Sequence, residues 1–300
     1  GNLGILYTMQ GKLVEAEVMY TWALQGYKEA LSPELLLVHL PALNTMWGFG
    51  DLFSQTGRKE MAKTPVPAIP LLTMSDHIRT RVLAGITVSD TPLITKALAY
   101  ARKHLNDSAY NHVVRSWLFG HVIASQIPDF QKHDEELHAI AAILHDLGWD
   151  KTDELVSKDK RFEIDGANAA RDFIAREGEM KDWDNHRLQL AWDAIALHTT
   201  GSIALHKEIE VRICCIGIIT DFTGPEMSPG GVLTRGVWDA IVEQFPRPGF
   251  AKDVVDTLCG ICRNKPETTY DNFVADFGLA YVEGYNLKGN RLVDILEAAE

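Results

Sequence analysis

The sequence has 300 residues, 46% of them hydrophobic, and a formal net charge of −12. This composition can bury a sizeable core, and it excludes a chain that is disordered throughout. The acidic balance disfavours nucleic acid as a partner, and no apolar run reaches the length of a bilayer span. We therefore expect neither a nucleic acid nor a membrane as partner.

Residues 1–63 carry a pattern that is typical of paired helices. The stretch 4–7, followed by Gly11, recurs as the stretch 50–53, followed by Gly57. Small residues at helical spacing allow two helices to approach closely. The segment resembles the tetratricopeptide repeat and predicts an N-terminal helical hairpin. Because such repeats need several copies to be stable alone, we expect this segment to contact the next domain, a second copy of the chain or another protein.

A proline-containing joint follows at residues 64–90, with Pro65, Pro67 and Pro70 near its start. Proline is excluded from helix interiors, so this stretch indicates a boundary before a domain at residues 91–300. Thr91-Pro92 predicts the start of a helix that ends near residue 104. Apolar spacing predicts further helices over 109–125, 134–147, 166–176, 184–198, 209–222, 237–245, 251–263 and 270–281. Residues 265–271 are interpreted as a helix start. Strand patterns are scarce, so the predicted fold class is all-α.

Four cysteines occur, as the adjacent pair Cys214 and Cys215 and as Cys259 and Cys262. The first pair lies in an apolar run and is interpreted as buried core. The second pair lacks the further ligands that a structural zinc site needs nearby. Four reduced thiols indicate a reducing compartment, and we expect a cytoplasmic protein.

The most informative motif is Leu-His-Asp-Leu-Gly-Trp at residues 144–149. It ends an amphipathic helix, where the turning chain allows His145 and Asp146 to reach one ion. Neutral imidazole and carboxylate are ligands for zinc, iron or manganese. Gly148 is expected to take a left-handed conformation as the cap of that helix.

Two further residues extend this motif. His112 lies upstream on a predicted helix, and Asp221 lies downstream after an apolar helical run. An aspartate in such a position is costly to bury without a partner, so Asp221 is expected to meet a metal or a base.

The ordered set His112, His145-Asp146 and Asp221 resembles the metal site of the HD superfamily, over roughly residues 91–281. The resemblance implies a helical bundle in which these four residues bind a divalent transition metal. The patterns Asn-His-x-x-Arg-Ser-Trp and Leu-His-Asp-Leu-Gly are similar to those of the fungal cyanamide-hydratase-like branch. That branch implies a single zinc, with iron or manganese as alternatives, and addition of metal-activated water to a small nitrile-like or amide-like substrate.

One position departs from the superfamily pattern. Dinuclear members place a histidine a few residues before a Gly-Ala that opens a helix, and Phe162 stands at that place here, before Gly166-Ala167. Phenylalanine cannot bind metal, so the sequence disfavours a two-metal site.

Other polar residues are assigned roles around the metal. The residues expected to take part in catalysis are His198, Asp146 and Glu163, and those expected to bind substrate are Arg115, Thr199 and Trp149. His198 would move a proton or orient substrate, or be a histidine that favours the helix dipole at a C-terminus. Glu163 would support a ligand histidine or be a first-turn acid. Arg115 would hold a substrate anion, pair with Asp146 or form an ordinary salt bridge.

Two alternative functions stay open at this point. A nucleotide phosphohydrolase would share the metal site, but the sequence lacks a convergent set of lysines and arginines for phosphate. A non-enzymatic, repeat-containing interaction protein would use the metal structurally, which requires the open position of the metal to be blocked.

Overall fold

The computed structural model describes Ala16, Val18, residues 79–179 and residues 181–299. The chain divides into two compact units, Gly1–Asp76 and His77–Glu300. The repeat-like segment 1–63, apart from Ala16 and Val18, and most of the joint lie outside the described residues. The helical hairpin and its expected protein contacts therefore stay predictions. The cytoplasmic location also stays a prediction.

The second unit is all-α apart from one hairpin, as predicted. Its two strands are β1 (Thr80–Leu83) and β2 (Ile86–Ser89). Its α-helices are α1 (Pro92–His104), α2 (Asp107–Gln126), α3 (Glu135–Leu144), α4 (Phe162–Glu177), α5 (Asn185–Ala196), α6 (Gly201–Ala204), α7 (Ile209–Thr223), α8 (Arg235–Gln244), α9 (Phe250–Asn264), α10 (Val274–Tyr281) and α11 (Leu292–Glu297). Short 3-10 helices lie at Pro128–Phe130, Leu147–Trp149, Pro225–Met227, Pro229–Gly231 and Pro266–Thr268.

The hairpin was not predicted, and it lies inside the range assigned to the joint. The two strands pair antiparallel and are joined by Ala84 and Gly85, both with positive φ, at 49° and 77°. Two consecutive positive φ angles give a tight turn that matches the twist of a hairpin. The burial of β1 alternates over its four residues. A strand this short gives too few residues for the alternation to be recognised in the sequence.

Helices α2 and α7 form the centre of the bundle and pack against each other more extensively than any other pair of elements in the described part of the chain. Their backbones touch at Gly217, where an added Cβ would lie 2.4 Å from the carbonyl oxygen of Ser116 and 2.9 Å from the amide of Gly120. Only glycine allows this approach. One turn along each helix from this crossing, His112 and Asp221 face each other.

Helix α3 ends at Leu144, three residues earlier than predicted, and His145 and Asp146 lie in the turn that follows. The prediction of a left-handed Gly148 is wrong, because Gly148 belongs to the 3-10 helix and has no positive φ. It is glycine for a different reason. A Cβ there would lie 2.0 Å from the carbonyl oxygen of Phe162, so the turn packs directly against the start of α4.

Other boundaries moved by a few residues. Helix α4 begins at Phe162 and not at Gly166, since Arg161 already takes the extended conformation of an N-terminal cap. The predicted helix start at 265–271 is wrong, because Pro266–Thr268 form a separate 3-10 turn and α10 begins only at Val274. The cap at Thr91 is confirmed, since its hydroxyl accepts a hydrogen bond of 3.2 Å from the amide of Ile94.

The four cysteines are free, as predicted. All four are buried, although burial was predicted only for Cys214 and Cys215. Within the described ranges, the structure contains no helix with the length and apolar character that a membrane crossing needs.

A buried histidine on α3 makes stability depend on pH. His138 is fully buried, and neither of its ring nitrogens has a hydrogen-bond partner. Burial, with His133 and His121 nearby, holds its pKa well below the ordinary value of 6.5. The unfolded chain therefore binds one more proton than the folded chain below pH 6.5, so stability falls as the pH drops through that value.

We expect His138→Leu to stabilise the protein, and to do so more at pH 5 than at pH 7.5. The apolar side chain removes the unmet hydrogen bonds, and the pH-dependent part of the gain reaches up to about 2 kcal/mol over this range. Urea unfolding at the two pH values measures it. His186→Leu is the control, because that side chain is exposed. Equal pH slopes for wild type and His138→Leu would contradict the explanation.

Candidate metal centre

Two buried histidines present unprotonated Nε2 atoms to the same point. The Nδ1 atom of His112 lies 2.7 Å from Oδ2 of Asp221. The Nδ1 atom of His145 lies 2.8 Å from the carbonyl oxygen of Ala142, one turn back on α3. In each ring Nδ1 is the donor to an oxygen acceptor, so Nε2 of the neutral imidazole carries a lone pair. Histidines that bind metals are held in the same way.

Asp146 completes a cluster of three acceptors. Its Oδ2 lies 3.2 Å from Nε2 of His145 and 3.6 Å from Nε2 of His112, and the two Nε2 atoms lie 3.3 Å apart. Asp146 sits at φ −98° and ψ 17°, the bridge region between helix and strand, which aims its side chain back towards His145. Both carboxylate oxygens are buried and lack a hydrogen-bond donor.

These distances fit a shared metal ion. Ligand atoms bonded at about 2.0–2.1 Å in a tetrahedron lie about 3.3 Å apart. Three lone pairs at this separation repel one another unless a cation lies between them. In the described part of the chain, one group of side chains has ligand atoms close enough together to hold an ion, and it consists of His112, His145 and Asp146.

The protonation states agree with this geometry. Burial acts to raise the pKa of Asp146, but the neighbouring His145 and His112 hold it below its ordinary value, so the side chain is a carboxylate. Burial lowers the pKa of His112, which keeps its imidazole neutral near pH 7. Both are the forms that bind a metal.

Asp221 lies on the far side of His112. Besides its contact with Nδ1 of His112, it accepts hydrogen bonds from Nε and Nη2 of Arg115 at 2.8 and 2.7 Å. Burial acts to raise its pKa, but His112 and Arg115 lower it to about 2. An oxygen bonded to Nδ1 cannot touch an ion held at Nε2 of the same ring. This arrangement favours Asp221 as the residue that orients His112, and direct ligation of metal by Asp221 stays a prediction.

Arg115 is fully buried and occupied. Its Nη1 donates to the carbonyl oxygens of Phe245 and Pro246, at 3.0 and 3.2 Å, while Nε and Nη2 bind Asp221. It is not among the residues that line the cavity at the candidate metal centre, and its binding of a substrate stays a prediction. Its salt bridge is made with Asp221. The nearby Arg247 also approaches Asp221, at 3.7 Å.

His198 faces the same cluster from the end of α5. Its Nδ1 donates to the carbonyl oxygen of Ile195 at 2.6 Å, so its Nε2 is free, and this atom lies 3.8 Å from Oδ1 of Asp146. Burial and the neighbouring His145 lower the pKa of His198 to about 4. The ring is therefore neutral near pH 7 and able to accept a proton.

Glu163 lies behind this histidine. It is buried, and its Oε1 accepts hydrogen bonds from Arg161 and from the hydroxyl of Thr199, both at 2.6 Å. Burial acts to raise the pKa of Glu163, but Arg161 and His198 hold it below its ordinary value. Glu163 therefore fixes Thr199, which follows His198 in the chain and lines the cavity.

Comparison with known families finds one match. Residues 109–217, which are 109 of the 300 residues, match the model of the HD domain. HD domains bind divalent metals, and most act as metal-dependent hydrolases. The matched range contains His112, His145, Asp146 and His198, and it ends four residues before Asp221. None of the curated proteins matches the chain.

A cavity of about 240 Å³ opens at the metal centre of the HD domain. Its polar lining consists of His112, Asp146, His198 and Thr199. The rest of the lining is aromatic or aliphatic and comes from the turn after α3 and from α4, α7, α9 and α10: Trp149, Phe162, Ile218, Ile219, Phe222, Val254, Leu258, Phe273 and Phe277. Trp149, assigned to substrate binding, lies in this wall, and its indole Nε1 has no hydrogen-bond partner.

Phe162 occupies the place where dinuclear relatives carry a histidine, and the structure shows what it does instead. It is buried, and its ring centroid lies 5.7 Å from that of His198 and 5.6 Å from that of Trp149. It therefore supplies an apolar wall beside the metal centre where a second ion would need a ligand.

The contribution of α9 and α10 to the site was not predicted from the sequence. Val254, Leu258 and Phe277 have the spacing of ordinary core residues, and nothing local separates a cavity wall from a packed core. Arg247 was missed for a similar reason, because its approach to Asp221 depends on how α8 and the residues after it pack on α2.

Proposed function

We propose that this HD domain is a hydratase or hydrolase that binds one divalent metal, zinc being preferred, and adds water to a small, uncharged nitrile-like or amide-like substrate. The observation that carries the proposal is the convergence of three acceptors, on His112, His145 and Asp146, two of which, His112 and Asp146, border an open cavity. The preference for zinc rests on two imidazoles and one carboxylate at tetrahedral spacing, with room for water.

When bound, such a metal lowers the pKa of a coordinated water towards neutrality. The protein supplies the rest. His112 and His145 hold the metal with their Nε2 atoms, and Asp146 adds a negative charge. His198, neutral and 3.8 Å from Asp146, accepts a proton at Nε2 and can return it to the substrate. Glu163 fixes Thr199 so that its side chain borders the reacting group.

The cavity disfavours the two alternatives. A nucleotide phosphohydrolase needs cationic donors for phosphate, and no lysine or arginine is among the residues that line this cavity. A purely structural metal needs a closed ligand shell, whereas His112 and Asp146 both border an open cavity.

The experiment that tests the proposal offers metal-loaded protein a panel of nitriles, amides and nucleotides and measures amide, ammonia and phosphate. The proposal requires formation of amide from a nitrile, or of ammonia from an amide, that stops when metal is removed by a chelator. Release of phosphate from nucleotides alone would support the phosphohydrolase, and no turnover of any compound by metal-loaded protein would support the structural role.

His198→Ala separates proton transfer from metal binding. We expect metal content to stay near that of the wild type, because His145, His112 and Asp146 are untouched. If Nε2 moves a proton, kcat falls roughly 10²–10⁴-fold. Metal content and steady-state rates are measured on the same sample. Loss of the metal would mean that His198 is a ligand. Unchanged kcat and KM would mean that His198 has only a structural role at the end of the helix.

A further inference from the structure

The cavity at the candidate metal centre is poor in charge. Among the described residues, thirteen line the cavity; nine of these are aromatic or aliphatic, and Asp146 is the only one with an ionised side chain. The closest arginines in the described part of the chain are engaged elsewhere, Arg115 and Arg247 with Asp221 and Arg161 with Glu163. The wall therefore offers no partner for a substrate anion.

The size of the cavity sets the size of the ligand. Its volume of about 240 Å³ is below the roughly 300–1,000 Å³ of sites for drug-sized molecules, whereas a cavity of about 150 Å³ already admits benzene. One ring with a short substituent fills this space. A ligand of three heavy atoms would leave most of the apolar wall without a contact.

The mouth of the cavity continues the same chemistry. Ile219, Phe222 and Phe273 line the cavity and are 40%, 49% and 37% exposed. Large apolar side chains grouped at an opening mark a surface that an apolar ligand crosses or covers. Trp149 and Phe162 lie deeper, and aromatic walls favour edge-on or offset contacts with an aromatic ring.

We propose that the substrate is an uncharged molecule with a single-ring aromatic body, whose small reactive group lies beside His112, Asp146 and His198. The reactive group rests on the proposed function, whereas the aromatic body rests on the cavity alone. For a nitrile the reaction is addition of water: a carbon–oxygen bond forms, one π bond of the C≡N group opens, and one proton of the water moves to the nitrogen, which gives the imidic acid. The hydroxyl proton of the imidic acid then moves to the same nitrogen while the second carbon–nitrogen π bond is replaced by the C=O bond, and the product is the amide.

Binding to the metal-loaded protein is measured by ligand-observed NMR for toluene, benzonitrile, cyanamide and a nucleoside monophosphate. Toluene carries the ring without the reactive group, so its binding tests the aromatic body independently of turnover. Burial of a ring predicts that benzonitrile binds at least about tenfold more tightly than cyanamide. Benzamide formation is followed in the same samples.

Two variants localise the binding. Leu258→Trp fills the cavity from a buried position, and Phe273→Glu places a charge at its mouth. Each is expected to weaken toluene binding at least about tenfold. Leu292→Glu is the control, because Leu292 is 71% exposed and lies outside the cavity lining. Phe273→Glu alters a partly exposed side chain, so it keeps the test decisive if Leu258→Trp does not fold.

The outcomes separate the two proposals. Binding of toluene and benzonitrile that both variants weaken, without benzamide formation, supports the aromatic body and contradicts the hydratase. Turnover of cyanamide without binding of toluene or benzonitrile contradicts the aromatic body and supports the hydratase. If the nucleoside monophosphate binds more tightly than toluene and benzonitrile, both proposals are contradicted. If neither variant changes toluene binding, toluene does not bind in this cavity and the proposed location is overturned.

Discussion

Asp146→Asn and His145→Gln are each expected to abolish metal binding and, with it, activity. Each substitution keeps the approximate volume of the side chain but removes a lone pair or a charge from a cluster whose atoms lie 3.2–3.6 Å apart. Loss of a residue behind a ligand costs roughly 10–100-fold in metal affinity, and loss of a ligand is expected to exceed that range. Elemental analysis after dialysis against buffered zinc measures the effect.

The same fold offers matched controls. His138 is a buried histidine two turns before His145 on α3, and Asp150 is a buried aspartate that binds His104. Neither belongs to the metal cluster, so His138→Gln and Asp150→Asn are expected to retain metal even where they change stability. Metal retained by Asp146→Asn and His145→Gln at the wild-type level would show that the ion binds elsewhere.

Arg115→Met is expected to give the largest loss of stability. It removes the cation from a fully buried pair, in which Asp221 accepts two hydrogen bonds from the guanidinium, and it leaves the carboxylate with His112 and the more distant Arg247. Breaking a buried ion pair by removing one partner costs about 3–5 kcal/mol, a large share of the roughly 5–15 kcal/mol by which domains are stable. Denaturant unfolding measures the change.

Arg102→Met is the control for this experiment. Arg102 also forms an ion pair, with Asp107. Its guanidinium lies 4.7 Å from the ring centroid of Tyr110, as that of Arg115 lies 5.0 Å from the ring centroid of Phe250. Both partners of the ion pair are exposed, so removing it is expected to change the free energy of unfolding by at most about 1 kcal/mol. Equal effects of Arg102→Met and Arg115→Met would contradict the description of a buried pair.

The part of the site that a short motif encodes could be predicted from the sequence. His145 and Asp146 are adjacent in the chain, and the end of α3 brings them together by local geometry alone. The all-α class followed from apolar spacing in the same way. His112 was found through its resemblance to a family pattern, and the structure places its Nε2 beside theirs.

The rest depends on contacts between distant segments. The position of Asp221 behind His112 is set by the crossing of α2 and α7 at Gly217, and Arg115 faces Asp221 because it lies one turn from His112 on α2. Nothing in a single helix shows this register. The apolar wall from α9 and α10 could not be predicted, because it forms only when the whole bundle packs. The β-hairpin could not be predicted, because its strands are too short to show a period of two in the sequence.

The most direct test of the central claim is the anomalous diffraction of crystals of the metal-loaded protein, which counts the ions and locates them. We predict one peak per chain, about 2.0–2.2 Å from Nε2 of His112, Nε2 of His145 and an oxygen of Asp146, with Asp221 still bonded to Nδ1 of His112. An oxygen of Asp221 at bonding distance would make it the fourth ligand. A peak elsewhere, a second peak beside Phe162, or no peak at these three side chains would contradict the account.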